Sequence, residues 1–162
     1  MTDLDRVETP VGYVDLARVR ANARRVAEYV AEHGLSWRPH IKTHKSREVA
    51  RIQLDAGARG LTVATLREAE VMAGLTNDLL LAYPQVGSAK LERLVAMPAS
   101  VDLKVALDAH EVLAPLAAAA ASAGRRIGIL VEQDVGLGRV GLQTAAEVVH
   151  LAEACARADG VD

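Results

Sequence analysis

Fold and chemistry both turn on Arg38-Pro39-His40-Ile41-Lys42-Thr43-His44-Lys45-Ser46. Ser36 and Trp37 lead into it, and Pro39 fixes φ and removes a backbone donor, so residues 36–42 read as a strand rather than a helix. Side chains alternate across a strand. Ser36, Arg38, His40 and Lys42 then share one face, and Trp37, Pro39, Ile41 and Thr43 the other. A face that is wholly polar and basic, in a half-apolar chain, has two readings. It is a solvated edge strand, or it opens into an active-site mouth with a lysine near its end. A lysine there can condense with a carbonyl when desolvation or nearby cations free its lone pair. Arg38, His40 and Lys45 are such neighbours. His40 and His44 do not point to a shared metal ion, because on a strand their rings stand about 13 Å apart.

The 162 residues amount to one domain, enough for a real core. With 51% hydrophobic and 25% charged residues, the balance is that of a soluble globular protein. Trp37, Tyr13, Tyr29 and Tyr83 are the aromatic residues, so Ala, Val and Leu must build the core. A net charge of −2 offers nothing to nucleic acid or an anionic membrane. The single Cys155 excludes an internal disulfide framework and reads as a small buried hydrophobe on a helix. Residues 1–10 carry acids and no apolar core of a secretory signal. The longest apolar run, 112–123, contains Pro115 and is shorter than the roughly 20 residues a membrane span needs. These features point to a cytoplasmic protein.

In order, the chain predicts a short strand at 11–15, then a helix to about His33 with Gly34 as its stop. After the signature strand, Ser46 caps a helix running to Ala56. Strands follow at 60–64, 78–83, 102–107 and 127–133, with helices at 66–73, 88–95, 109–123 and 144–158. Asp108-Ala109-His110-Glu111 reads as a capping box for the Ala-rich helix, which Pro115 should kink. Gly160-Val161-Asp162 resembles the start of another strand. Strand-helix alternation with short connections means an α/β fold with a parallel sheet wrapped by helices. Periodicity leaves two architectures open: a five-stranded doubly wound sheet, or the first part of an eight-unit barrel.

Three further motifs bear on function. Thr65 and Tyr83 fall at C-terminal strand ends, where barrel chemistry is built. In the plain reading Thr65 caps a helix, and Glu68 and Glu70 are surface charges. Gly136-Leu137-Gly138-Arg139-Val140-Gly141 matches the letters G-x-G-x-x-G, yet Thr144-x-x-Glu147 is a capping box that starts the helix after the third glycine. In a dinucleotide fold the helix opens within the glycine turn, so that reading is set aside. His33, His110 and His150 read as surface or packing residues.

The octet from Arg38 to Lys45 resembles the signature of the D-threonine aldolase and D-serine dehydratase family, pyridoxal-phosphate enzymes with an alanine-racemase type of barrel. Residues 62–70 and 78–84 resemble that family's next two units. Residues 131–141 resemble the V-E-x-D-x-G-x-x-R-x-G segment shared with alanine racemases, with Gln133 where an apolar residue is expected. The resemblance implies that Lys42 forms the Schiff base with pyridoxal 5'-phosphate. It implies further that Arg139 approaches the cofactor's phenolic oxygen and that His40, Thr65 and Tyr83 line the cofactor site. It favours the partial (β/α)8 barrel, with the 162 residues as the N-terminal part of one domain. The last strands and a C-terminal β domain, to which the strand at 11–15 would belong, would lie outside it. Those parts would carry much of the phosphate site, a tyrosine near the imine and the ligands of the family's divalent metal. The implied activity is a lyase on small D-3-hydroxy amino acids, either retro-aldol cleavage or dehydration. An amino-acid racemase and a non-catalytic pyridoxal-phosphate carrier are the alternatives. Exposed sheet edges suggest a second copy of the chain as partner, and this chain alone is expected to turn over little.

Overall fold

The computed structural model describes residues 6–162. Asp15 starts the first helix, α1 (Leu16–Glu32), by accepting the amides of Ala17 and Arg18 on its side chain. Gly34 ends it at φ 64°, a backbone region open to glycine without penalty. Residues 35–40 are extended. The chain then alternates through α2 (Arg47–Asp55), β1 (Leu61–Val63), α3 (Leu66–Met72), β2 (Asp78–Leu81), α4 (Ser88–Val95), β3 (Asp102–Leu107), α5 (His110–Ser122), β4 (Gly128–Val131) and α6 (Ala145–Arg157). Ser46, Thr65 and Thr144 cap α2, α3 and α6 as the sequence predicts, and the Thr144–Glu147 capping box is complete.

The strands run parallel in the order β1-β2-β3-β4. Before β1, His40 makes a parallel bridge to Thr62, and the Thr62 amide donates to the Pro39 carbonyl at 2.8 Å. After β4, Val161 bridges Ile127 in parallel. The order never reverses, whereas a doubly wound sheet needs a switch point where it does. The five-stranded doubly wound alternative is thereby overturned, and the sheet is part of a (β/α)8 barrel wall.

Two predicted strands are corrected. Among the described residues, 11–15 join no ladder, and Val11, Tyr13 and Val14 are exposed. The signature strand stops at His40, and Ile41–Thr43 forms a 3-10 turn. Asp108 does not cap α5. Ala109 holds the cap position without a side-chain bond, and Asp108 Oδ2 instead accepts the Gly141 amide at 2.8 Å. Helix α5 runs unbroken through Pro115.

The apolar layer lies between sheet and helices, where Leu61, Val63, Leu79, Leu81, Leu103, Val105 and Leu107 are buried with Leu94, Leu116 and Leu151. Each such side chain contributes roughly 1.5–3 kcal/mol by leaving water. Among the alternate positions, Asp78, Asp102 and Lys104 carry charge, beside the uncharged Thr62, Leu80 and Ala106. Asp78 Oδ2 accepts from Arg38 at 2.7 Å, Asp78 Oδ1 meets Lys104 at 3.2 Å, and Lys104 also reaches Asp102 at 2.5 Å. Arg59 joins at 3.5 Å. Arg38 must cross β1 to reach Asp78, and Gly60 makes room: a Cβ there would sit 2.8 Å from Asp78 Cβ and Cγ. Gly128 does the same beside Lys104, whose Cγ a Cβ would meet at 2.9 Å.

Asp78 is 13% exposed and balances three cations. Asp78→Ala strands them, so urea unfolding should show a loss of about 2 kcal/mol. Glu70→Ala, which removes a more exposed pair with Arg93, should cost about 1 kcal/mol or less.

Candidate active site

Parallel strands bring the segments that follow them to one rim. Lys42, Thr65, Tyr83, Asp108 and Arg139 all follow strand ends on this wall. The signature turn is anchored by Ile41, which is fully buried and whose carbonyl accepts the amides of His44 at 3.1 Å and Lys45 at 2.8 Å. His40 Nδ1 accepts the Lys42 amide at 3.4 Å, and His44 Nδ1 accepts the Ser46 amide at 3.1 Å. Each ring thus engages its Nδ1 within its own turn, and the two histidines belong to a turn rather than to one strand face. Among the described residues, no group of three or more His, Cys, Asp or Glu is placed to hold a metal ion.

Lys42 is exposed on this turn, and among the described residues no carboxylate lies within ion-pairing distance of it. Burial, then the Lys42 cation, push the His40 imidazole below its ordinary pKa, against a weaker opposing pull from Glu68. His44 is lowered by burial as well. Both rings are therefore neutral near pH 7. Lys45, at φ 50°, is the non-glycine residue with positive φ among those described. Such a conformation costs a side-chain-bearing residue about 1 kcal/mol.

The sequence reading placed Glu68 at the surface, and this is corrected. Glu68 is buried, its Oε2 accepts the Ala64 amide at 2.8 Å, and its Oε1 pairs with Lys45 Nζ at 3.1 Å. Burial raises its pKa, but the Ala64 amide, Lys45 and the Thr65 backbone outweigh it and hold the carboxyl below the usual range. The signal lay in Thr65-x-x-Glu68, a capping-box spacing. Only the fold turns the carboxylate toward the signature. Glu70 does face outward, paired with Arg93 and Arg67.

Thr65 and Tyr83 line an open pocket of about 470 Å³ with Arg67, Gln85, Lys90 and Arg93. Lys42 and His40 are not in that lining. Arg139 is exposed and lines a separate hollow of about 320 Å³ with Asp108, Asp134 and Gly141. The structure thus groups Lys42 with His40, and Thr65 with Tyr83, and sets Arg139 apart along the rim. In the Arg139 loop the Asp134 carboxylate accepts the amides of Gly136, Leu137 and Gly138. The donors a dinucleotide pyrophosphate would need are already taken, and α6 begins only at Ala145. Glu132 is raised by burial and by Asp108, with Arg139 opposing.

An exposed amine with no carboxylate partner among the described residues, beside a neutral imidazole, is chemically suited to meet an aldehyde. The fold and rim define a partial (β/α)8 barrel with a lysine after its first strand position. A family model for the alanine racemase N-terminal domain matches residues 14–162, and the chain belongs to that family. D-threonine aldolase of Arthrobacter sp is 37% identical over 161 residues, 98% of this chain and 42% of the relative. D-threo-3-hydroxyaspartate dehydratase of Delftia sp. is 34% identical, over 84% of this chain and 36% of the relative. The crystal structure of D-threonine aldolase from Filomicrobium marinum superposes with a TM-score of 0.92 at 34% identity, covering 96% of this chain and 42% of that one. The chain therefore spans about two-fifths of the length of these relatives.

Neutral His40 and His44 tie stability to pH. In the unfolded chain these imidazoles titrate near the ordinary 6.5, and in the fold they titrate lower. The unfolded state then binds more protons as pH falls through that value, and stability declines there. Lys42→Met should raise the His40 midpoint in an imidazole NMR titration and leave the His44 midpoint unchanged.

Proposed function

We propose that this chain supplies the lysine half of a pyridoxal-phosphate lyase site for D-3-hydroxy amino acids. The observation that carries the reading is Lys42 itself, exposed on a buried anchor, next to a neutral imidazole and without a carboxylate partner among the described residues. The likeness to an aldolase and a dehydratase, both acting on hydroxylated D-amino acids by their names, supports a lyase over a racemase.

When bound, the cofactor supplies an electron sink for the pair released as a bond at the substrate breaks. Lys42 would hold it, through its amine and the aldehyde carbon. His40 fixes the turn that carries Lys42, because its Nδ1 accepts the Lys42 amide. Arg139 brings a cation to the rim, suited to the cofactor's phenolic oxygen, while Thr65 and Tyr83 shape the pocket beside it. Cleavage to glycine and an aldehyde, and dehydration to a keto acid and ammonia, both follow from the same grip. The phosphate contacts and a divalent metal would come from outside these residues.

Mixing the chain with pyridoxal phosphate, reducing with borohydride and mapping the modified peptide tests this. The adduct should lie on Lys42 and disappear in Lys42→Ala. Label spread evenly over the lysines would refute the assignment. The 162-residue chain alone should turn over negligible D-threonine or D-serine, and clear turnover in a coupled assay would overturn that expectation.

A further inference from the structure

The signature presents two lysines three residues apart, Lys42 and Lys45, and something must decide between them. The chain has four lysines: Lys42, Lys45, Lys90 and Lys104. Two are tied to acids. Lys104 meets Asp78 at 3.2 Å and Asp102 at 2.5 Å, and Lys45 meets Glu68 at 3.1 Å. Lys42 and Lys90 have no carboxylate within that reach among the described residues. Glu68 is well suited to hold its lysine. Its side chain is 8% exposed, and one carboxylate oxygen is taken by the Ala64 amide. The other is compensated by Lys45, and a buried carboxylate left without that cation is costly. The Lys45 backbone adopts its rare positive φ at the position from which its amine reaches Glu68.

We infer that Glu68 is the residue that makes Lys42, and not Lys45, the cofactor-bearing amine: it engages the Lys45 ammonium in an ion pair and leaves Lys42 as the available nucleophile of the signature. An amine joins a carbonyl carbon only through its free lone pair, expelling water as the carbon–nitrogen double bond forms. An ammonium held against a carboxylate has no such pair to offer. Glu68 touches neither substrate nor cofactor in this scheme and acts through Lys45, so it is a positioning residue. The inference rests on the proposed role of Lys42 but is separately testable, because Lys45 can be compared with Lys90 whatever Lys42 does.

The test uses the full chain, pyridoxal phosphate as probe, borohydride reduction and peptide mapping by mass, with Lys90 as the internal standard. In Lys42→Ala, with Glu68 intact, Lys45 should take less label than Lys90. Adding Glu68→Gln keeps an oxygen for the Ala64 amide and removes the charge, and the Lys45 label should then rise about fivefold relative to Lys90. Lys45 labelled as strongly as Lys90 in Lys42→Ala overturns the inference without any change at Glu68. An unchanged ratio on adding Glu68→Gln, with circular dichroism preserved, overturns it too. Absence of label on Lys42 in the unaltered chain would sink the proposed function, while the Lys45-to-Lys90 ratio would still decide this one.

Discussion

Packing between sheet and helices buries one set of alternating leucines and valines, and that burial constrains what each of those strand positions can be. Leu79 and Leu81 on β2, and Leu103, Val105 and Leu107 on β3, meet helices and are removed from water. Positions between them face the other way. There the wall carries Arg38, Asp78 and Lys104, paired with one another across neighbouring strands. Charges can occupy that face because each finds a partner, and because Gly60 and Gly128 leave the width the long side chains need.

Parallel strands in unbroken order also bring every strand exit to one edge. The signature turn, Thr65, Tyr83, Asp108 and the Arg139 loop meet that edge from different units. The local devices that shape it are backbone amides held by side chains: His40 takes the amide of Lys42, Glu68 that of Ala64, Asp108 that of Gly141, and Asp134 three in its own loop. Each fixes a rim segment without further helix or sheet, so the rim keeps its geometry although much of it is solvent-exposed.

Much of this was legible in the chain. Helix bounds were set by Ser46, Thr65, Thr144, Gly34 and Gly124, whose effects are local and need no tertiary partner. Apolar residues between breakers mark the strands expected at 78–83 and 102–107, and the first of them ends at Leu81. The signature strand was read two residues too long, because period-two alternation cannot see that Ile41 dives into the core and turns the chain. Residues 11–15 have strand composition but no neighbouring edge to pair with among the described residues. Asp108 looked like a cap by spacing, yet the amide of Gly141, 33 residues on, takes its carboxylate instead.

The alternation of strands and helices, the lysine-bearing signature and the family it signals are readable from the chain alone, since these rest on short-range pattern and on chemistry carried by single residue types. Whether the sheet reverses, which acids are buried, and which of the signature's two lysines lacks a carboxylate among the described residues are set by three-dimensional packing. Those depend on contacts between residues far apart in the chain, such as Arg38 with Asp78 and Lys45 with Glu68, and spacing alone carries no record of such contacts.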